Sequence, residues 1–139
     1  MPLRDELLIA NERYAASFTL AGLGPRPRRG LAVLTCMDAR LDPLPFLGLE
    51  PGDAHVLRNG GAEATNDVLR SLALAQRLDV TKVIVVGHDH CIARASAAGS
   101  PAAETAVRWA VAAISERLPG LAATGFLYDE QTGRIRPVD

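Results

Sequence analysis

Two short motifs, each placed directly after a run of branched aliphatic residues, constrain the fold of this chain most. Residues 31–35 (LAVLT) precede residues 36–40 (CMDAR), and residues 82–86 (KVIVV) precede residues 87–91 (GHDHC). Such runs predict buried strands. The carboxyl ends of parallel strands meet at one edge of a sheet, where ligands bind. We therefore expect the polar residues of both motifs to converge at that edge.

Cys36, His88 and Cys91 form the part of these motifs that can bind a metal. Thiolate and imidazole are zinc ligands, and a catalytic zinc site has three protein ligands and one open position. His88 and Cys91 are close enough in sequence to bind one ion, with Cys36 arriving from the other strand. The sequence therefore predicts a Zn²⁺ site. Because two thiolates donate more charge than two imidazoles, we expect its bound water to be a weaker acid and the site to work best above neutrality.

Strands and helices alternate along the rest of the chain, which predicts an α/β fold with right-handed crossovers. Thr65 is a plausible N-cap of one helix, and Ser100 with Pro101 of another. The predicted elements are a strand at 31–35, a helix at 43–49, a strand at 54–57, a helix at 65–78, a strand at 82–86, a helix at 100–118 and a strand at 126–128. We expect a single domain over residues 1–139, with a central, mostly parallel sheet of about four strands flanked by helices.

An amphipathic helix over about residues 3–20 precedes this alternation. Its apolar residues recur at helical spacing: Leu3, Leu7, Ala10, Tyr14 and Phe18. We interpret residues 1–24 as a helical arm and residues 28–139 as the α/β core. The apolar stripe of the arm packs either on its own domain or on a partner subunit.

The overall composition excludes several classes of partner. A formal net charge of −1 predicts no nucleic-acid partner, and no stretch approaches the roughly 20 apolar residues of a membrane helix. The basic cluster at residues 26–29 is interpreted as a solvated loop in preference to a phosphate site. The amino terminus lacks the features of a signal peptide, so we expect a cytoplasmic protein. In that compartment two cysteines are metal ligands, reactive thiols or core residues rather than a disulfide.

Asp38 and Arg40 follow Cys36 closely and pair a carboxylate with a guanidinium at the mouth of the expected site. Held by Arg40, Asp38 can accept a hydrogen bond from a metal-bound hydroxide and orient it. Released, it can occupy the fourth metal position and close the site. Arg suits the holding role because its planar fork grips a carboxylate bidentately.

The ordered set of motifs resembles the β-class carbonic anhydrases, especially the short microbial members. The motifs that carry the resemblance are CxDxR at 36–40, RNGG at 58–61, NDVLRSL at 66–72 and GHxxC at 87–91. The resemblance implies that Cys36, His88 and Cys91 bind zinc and that Asp38 and Arg40 form a catalytic gating dyad. It also implies a homodimer embraced by the amino-terminal helix. The implied reaction is the lyase-type, reversible hydration of carbon dioxide to bicarbonate and a proton by zinc-bound hydroxide.

Two other functions fit the same motifs. Carbonyl sulfide and carbon disulfide are small linear electrophiles that the same site could hydrolyse, and relatives of the fold perform such chemistry. Alternatively, the domain is a non-catalytic, zinc-binding dimeric module. Both alternatives remain open at the level of sequence.

The second motif departs from the GHTDCG pattern that is common in the family. Asp89 replaces a hydroxyl residue, and Ile92 replaces a glycine, where a β-branched side chain makes positive φ costly. Ala39 replaces the more usual serine of the first motif. The connector at 92–100 is also short, which predicts a site that is more open or is walled by a partner subunit.

The remaining polar residues near the motifs are not assigned to the metal site. His90 and Asp89 are surface residues of a loop or, alternatively, one of them relays protons, since histidine titrates near physiological pH. His55 lies within a strand pattern and is given no role. Residues 58–61 are interpreted as backbone architecture whose glycines allow close approach to the first motif.

Overall fold

Five strands and five helices make up the fold in the computed structural model, which describes residues 1–95 and 99–139. The strands are β1 (Leu31–Cys36), β2 (Ala54–Asn59), β3 (Lys82–His88), β4 (Ala122–Tyr128) and β5 (Ile135–Val138). The helices are α1 (Leu3–Ala16), α2 (Pro43–Phe46), α3 (Asn66–Gln76), α4 (Ile92–Ala95) and α5 (Ala103–Arg117). The predicted alternation of strands and helices is confirmed.

The strands form one sheet in the order β2-β1-β3-β4-β5. The pairs β1–β2, β1–β3 and β3–β4 are parallel, and β4–β5 is antiparallel. The predicted mostly parallel sheet is therefore correct, but it has five strands where about four were expected. The additional strand, β5, lies beyond the last predicted element, the strand at 126–128.

The core lies on the two faces of the central strands. All six residues of β1 are buried, as the continuous apolar run of a strand covered on both faces requires. From the helices, Leu72 of α3 and Ile114 of α5 are each 0% exposed and join the larger core cluster. This packing holds β1 and β3 side by side and fixes where their carboxyl ends lie.

The two predicted helix caps have different outcomes. Thr65 is the N-cap of α3, and its side chain accepts a hydrogen bond from the Val68 backbone N–H. The predicted Ser100–Pro101 start of α5 is wrong, because the helix begins at Ala103 with Ala102 as its N-cap. Ala103 is buried in the core cluster, so packing against the sheet, rather than a polar cap, sets the start of this helix.

Helix α1 stands apart from the core. Every one of its residues is exposed, including Leu3 at 68%, Leu7 at 59% and Tyr14 at 57%. It ends at Ala16, four residues earlier than the predicted end at residue 20. An isolated helix of this length is only marginally stable in water, so its apolar side chains need a surface to pack against.

The connector after the second motif is only partly described. Ile92 begins α4, so the backbone there is helical and needs no positive φ at this residue. Residues 96–98 of the predicted 92–100 connector lie outside the described residues. Within residues 1–95 and 99–139, no helix combines the length and hydrophobicity needed to cross a membrane.

Candidate metal centre

Cys36, His88 and Cys91 lie together at the carboxyl edge of the sheet. Cys36 ends β1 and His88 ends β3, and because these strands are parallel neighbours both ends reach the same edge. Cys91 lies just before α4. The side chains are enclosed, with exposures of 3% for each cysteine and 0% for His88.

The spacing of their donor atoms suits one metal ion. Ligand atoms of all three residues lie within 4.8 Å of one another, and the two Sγ atoms are 3.7 Å apart. Two sulfurs bound at about 2.3 Å to one tetrahedral ion would be about 3.8 Å apart. In the described part of the chain neither ring nitrogen of His88 has a hydrogen-bond partner, which is unusual for buried polar atoms. Both cysteines are free thiols, so the donor set fits a metal bound by two sulfurs and one nitrogen.

The protonation of His88 is compatible with this role. Burial lowers the pKa of His88, and this effect outweighs the opposing influence of the Asp38 and Glu130 carboxylates. The imidazole is therefore neutral at pH 7, and neutral imidazole is the form that binds metals.

Asp38 and Arg40 form the ion pair expected from their spacing. Oδ1 of Asp38 accepts hydrogen bonds from the Arg40 backbone N–H at 2.8 Å and from Nε at 3.0 Å, and Oδ2 accepts one from a guanidinium N–H at 2.7 Å. These bonds hold the pKa of Asp38 well below its usual range. Oδ2 also lies 3.9 Å from Nε2 of His88. The carboxylate is thus ionised, held by Arg40 and close to the cluster of Cys36, His88 and Cys91.

The loop that carries Asp38 is fixed from β2. The Arg58 side chain donates to the carbonyl oxygen of Cys36 at 2.9 Å and to that of Asp38 at 2.8 Å. The Gly61 backbone N–H donates to Sγ of Cys36 at 3.4 Å. Gly61 has φ +94°, a conformation that favours glycine. These contacts agree with the interpretation of residues 58–61 as architecture that approaches the first motif closely.

Apolar side chains cover the cysteine pair. Leu41 is 2% exposed and packs with Cys36 and Cys91. Phe46 and Tyr128 complete the cluster and stack on each other with ring centroids 4.4 Å apart. This cluster gives the two cysteines an apolar wall.

Glu130 also belongs to this site, although the motifs in the sequence did not point to it. Its side chain is 2% exposed. Oε1 accepts hydrogen bonds from the His90 backbone N–H at 3.2 Å and from His90 Nδ1 at 2.7 Å, and lies 3.7 Å from an Arg40 nitrogen. Oε2 faces Nδ1 of His88 at 3.7 Å. Burial raises the pKa of Glu130, but hydrogen bonds from its own backbone N–H and from His90 outweigh this, so the pKa is lowered.

One signal in the sequence could have indicated Glu130. It follows the end of β4 by two residues, and Tyr128, the last residue of β4, pairs with His88 in the sheet. Because β3 and β4 are parallel neighbours, Glu130 reaches the same edge of the sheet as Cys36 and His88. The surrounding sequence at 129–133, DEQTG, is typical of an exposed turn, so the pattern does not indicate a buried carboxylate at residue 130.

Four other polar residues near the motifs, His90, Asp89, His55 and Arg94, lie outside the cluster. The His90 side chain is 75% exposed, but its ring bonds to Glu130, so it is a loop residue with a specific partner. Asp89 is exposed. His55 contacts the Pro25 carbonyl oxygen through Nε2 at 3.1 Å, away from the cluster. Arg94 of α4 is buried and donates to the His88 carbonyl oxygen, which anchors α4 at the end of β3.

Comparison with known protein sequences gives a consistent result. The sequence profile of a family described as "Carbonic anhydrase" matches residues 31–134. "Beta-carbonic anhydrase 1" of Mycobacterium tuberculosis is 44% identical over 88 residues, which are 63% of this chain and 53% of that protein. A "Carbon disulfide hydrolase" of Acidianus is 47% identical over 68 residues, which are 48% of this chain and 33% of that protein. The chain thus spans about half the length of the mycobacterial relative.

A solved structure extends the likeness over the full chain. The crystal structure of carbonic anhydrase from Streptococcus mutans superposes with a TM-score of 0.88 at 32% identity, covering 100% of this chain and 99% of that one. The family profile covers most of the α/β core, and the shared fold covers the rest. The chain therefore belongs to the carbonic anhydrase family, in its β class.

Proposed function

We propose that this protein is a zinc enzyme that catalyses the reversible hydration of carbon dioxide to bicarbonate and a proton. The observation that carries the proposal is the buried Cys36–His88–Cys91 cluster with the Asp38 carboxylate held beside it by Arg40. Family membership supports the same reaction. The proposal assigns the three clustered residues as metal ligands and the other two as the catalytic dyad.

Zinc is the metal that best suits this donor set. Two thiolates and one imidazole favour zinc over magnesium or calcium, which prefer oxygen ligands. Held by three protein ligands, zinc would lower the pKa of a water in the remaining position from 15.7 towards about 7. Because two thiolates weaken this effect, hydroxide would be available chiefly above neutral pH.

Asp38 orients the nucleophile in this proposal. An ionised carboxylate only accepts hydrogen bonds, so it can bind the O–H hydrogen of the nucleophile and turn an oxygen lone pair towards the substrate. Arg40 keeps Asp38 ionised and prevents it from swinging onto the metal. The held arrangement corresponds to the open form of the gate, and release from Arg40 would allow Asp38 to become a fourth ligand in a closed form.

The apolar wall of Leu41, Phe46 and Tyr128 suits an uncharged linear substrate. Carbon dioxide gains little from polar contacts before it reacts, whereas the bicarbonate product is charged and favours return to water. The wall also limits competing water near the cysteines.

Hydrolysis of carbon disulfide or carbonyl sulfide is the second candidate function. Its support is the 47% identity over 68 residues with the Acidianus protein named as a carbon disulfide hydrolase. Both substrates are linear and apolar, so the same wall and the same dyad could serve them.

A homodimer is part of the proposal. Every residue of α1 is exposed, and the helix carries Leu3, Leu7 and Tyr14 with more than half of each side chain in solvent. Strand β2 is also an edge strand, on which Val56 is 38% exposed. A second copy of the chain that receives α1 would bury these surfaces at once.

We also propose a cytoplasmic location. Two buried free thiols at 3.7 Å would be prone to oxidation in an oxidising compartment, and metal binding requires them reduced. A reducing compartment keeps the proposed ligand set intact.

Metal analysis combined with stopped-flow hydration of carbon dioxide at pH 7 and pH 8.5 tests the function. We expect one zinc per chain and hydration at both values, faster at pH 8.5. Release of hydrogen sulfide from carbon disulfide and carbonyl sulfide is measured in parallel. Faster sulfide release than hydration would favour the second candidate. One zinc per chain without turnover of any of the three substrates would reject both and favour a non-catalytic zinc module.

Two histidine variants provide a matched control for the metal assignment. His88→Asn is expected to abolish stoichiometric zinc binding and activity. His55→Asn removes an imidazole outside the cluster and is expected to retain both. Equal zinc content in the two variants would contradict the proposed ligand set.

A further inference from the structure

Glu130 is a buried carboxylate that the proposed reaction does not use. It follows β4, and its side chain is 2% exposed. One of its oxygens, Oε1, is occupied by two hydrogen bonds from His90. Among the described residues Oε2 has no hydrogen-bond partner, although it is buried.

The unpartnered oxygen faces an unpartnered nitrogen. Oε2 of Glu130 is 3.7 Å from Nδ1 of His88, and that nitrogen also has no hydrogen-bond partner in the described part of the chain. Buried polar atoms are almost always paired. A small rotation of either side chain would bring the two atoms to hydrogen-bonding distance and satisfy both.

The opposite side of the His88 ring has a different environment. Nε2 lies 3.9 Å from Oδ2 of Asp38. The Asp38 oxygens are already occupied by Arg40, whereas Oε2 of Glu130 is free to accept. A neutral imidazole carries a single N–H, so the competition between the two carboxylates favours a hydrogen on Nδ1 and a lone pair on Nε2.

We propose that Glu130 is a positioning residue of the metal centre: its buried carboxylate accepts the Nδ1–H of His88 and thereby directs Nε2 towards the cysteine sulfurs. This inference rests on the proposed metal site. Metal-binding histidines commonly donate their second N–H to a carboxylate, which fixes the tautomer and the ring orientation.

Glu130 also connects this ligand to the rest of the site. Through Oε1 it holds the backbone and the ring of His90, and it lies 3.7 Å from Arg40. Arg40 in turn donates to the His90 carbonyl oxygen at 3.0 Å. One carboxylate therefore fixes the turn between His88 and Cys91 and abuts the arginine that holds Asp38.

The tautomer of His88 in the unaltered, zinc-loaded protein is the primary test. Long-range ¹H–¹⁵N correlation spectra of histidine-labelled protein distinguish a protonated from a metal-bound ring nitrogen. We expect His88 to be protonated at Nδ1 and bound to metal through Nε2. Metal binding through Nδ1, or a protein that takes up no zinc, would overturn the proposal.

Zinc affinity in variants of residue 130 is the second test. Competition with a chelator is expected to show zinc binding weakened by roughly 10–100-fold in Glu130→Leu, the range typical for loss of a carboxylate behind a metal ligand. Glu130→Gln keeps a weaker acceptor and should be intermediate. Glu116→Gln, at an exposed position of α5, is the matched control and should leave the affinity unchanged. A folded Glu130→Leu protein with unaltered affinity would overturn the proposal.

His90→Ala distinguishes the two contacts of Glu130. If the carboxylate acts on the metal ligand, this variant should keep the His88 tautomer and lose less zinc affinity than Glu130→Leu. An equal or greater loss would show that Glu130 serves only to hold His90. Because these readouts do not depend on turnover, an inactive protein with the expected tautomer would reject the proposed reaction and leave this inference standing.

Discussion

At the scale of single residues, the site is organised by the hydrogen-bond partner of each buried polar atom. Arg40 saturates the Asp38 carboxylate, Arg58 fixes the loop that carries it, and Gly61 donates to the sulfur of Cys36. The ring nitrogens of His88 remain without partners in the described residues. These contacts fix the side chains around the three residues that the proposal assigns as metal ligands.

Replacing Asp38 by Asn tests the proposed catalytic role of the Asp38–Arg40 dyad. The amide presents N–H groups towards Arg40, so it can neither accept both guanidinium bonds nor bind the nucleophile as a carboxylate does. We expect hydration to fall by about 100-fold, the scale of a misoriented reacting group, with zinc content unchanged. Stopped-flow assay with metal analysis measures both, and a variant that retains the full rate would show that Asp38 is not used as proposed.

A close approach between the sheet and α5 can be tested at Gly125. A Cβ at this position would lie 2.5 Å from Cγ1 of Val107. Gly125→Ala should therefore lower the free energy of unfolding by about 1–3 kcal/mol, the usual cost of overpacking. Combining it with Val107→Ala should cost less than the sum of the single changes, because the second change removes the clash.

Urea unfolding of the two single variants and the double variant measures this coupling. Gly24→Ala, where a Cβ would meet no atom within 4 Å, is the matched control and should change the stability little. Strictly additive effects of the Gly125 and Val107 changes would contradict the assigned contact.

At the scale of elements, the predictable part of the structure is the part governed by continuous apolar runs. Strands β1 and β3 are read directly from their branched residues, and their parallel pairing places Cys36 and His88 at one edge. Strand β5 escaped prediction because its sequence, IRPV, has no apolar run and pairs only at the edge of the sheet. The start of α5 escaped because packing of Ala103 decides it, which no local cap signal reveals.

The attachment of β5 to α5 predicts a pH dependence of stability. Glu104 of α5 pairs with Arg136 of β5 and with Arg108, and chiefly the hydrogen bond from Arg136 lowers the pKa of Glu104 below its ordinary value of 4.5. The folded state therefore binds fewer protons at Glu104 than the unfolded state. This contribution is complete above about pH 4.5 and is lost as the pH falls through the folded-state pKa.

Urea unfolding of the parent protein and Glu104→Gln at pH 7 and pH 3.5 tests this linkage. The variant should be less stable at pH 7, and the difference should shrink at pH 3.5. Glu116→Gln serves again as the control for loss of a surface charge. A difference of the same size at both pH values would mean that the ion pair does not contribute as described.

At the scale of the whole molecule, the exposed arm is the feature on which the proposed homodimer rests. The α/β core by itself encloses the cluster of Cys36, His88 and Cys91, whereas α1 buries none of its residues in the chain that carries it. The helical spacing of the apolar residues in α1 predicted a stripe that needs a surface to pack against. It left open whether that surface belongs to the same chain or to a partner subunit. Because every residue of α1 is exposed, the stripe does not pack on the described part of its own chain.

The oligomeric state tests the role of the arm. Sedimentation equilibrium should give twice the mass of one chain, and Leu7→Asp should shift the population towards the monomer, since burying a leucine contributes about 1.5–3 kcal/mol. Glu12→Gln, at an already polar position of α1, should leave the dimer intact. A parent protein that is monomeric at all concentrations would contradict the proposed homodimer.

In the proposed site, Cys36, His88 and Cys91 bind one zinc ion and leave its fourth position open while Arg40 holds Asp38. A crystal structure of the zinc-loaded protein at pH 8.5 tests it most directly. We expect two sulfurs and one His88 nitrogen on the metal, a solvent oxygen in the fourth position, and both Asp38 oxygens on Arg40. An Asp38 oxygen in the fourth position at this pH, with Arg40 displaced, would contradict it.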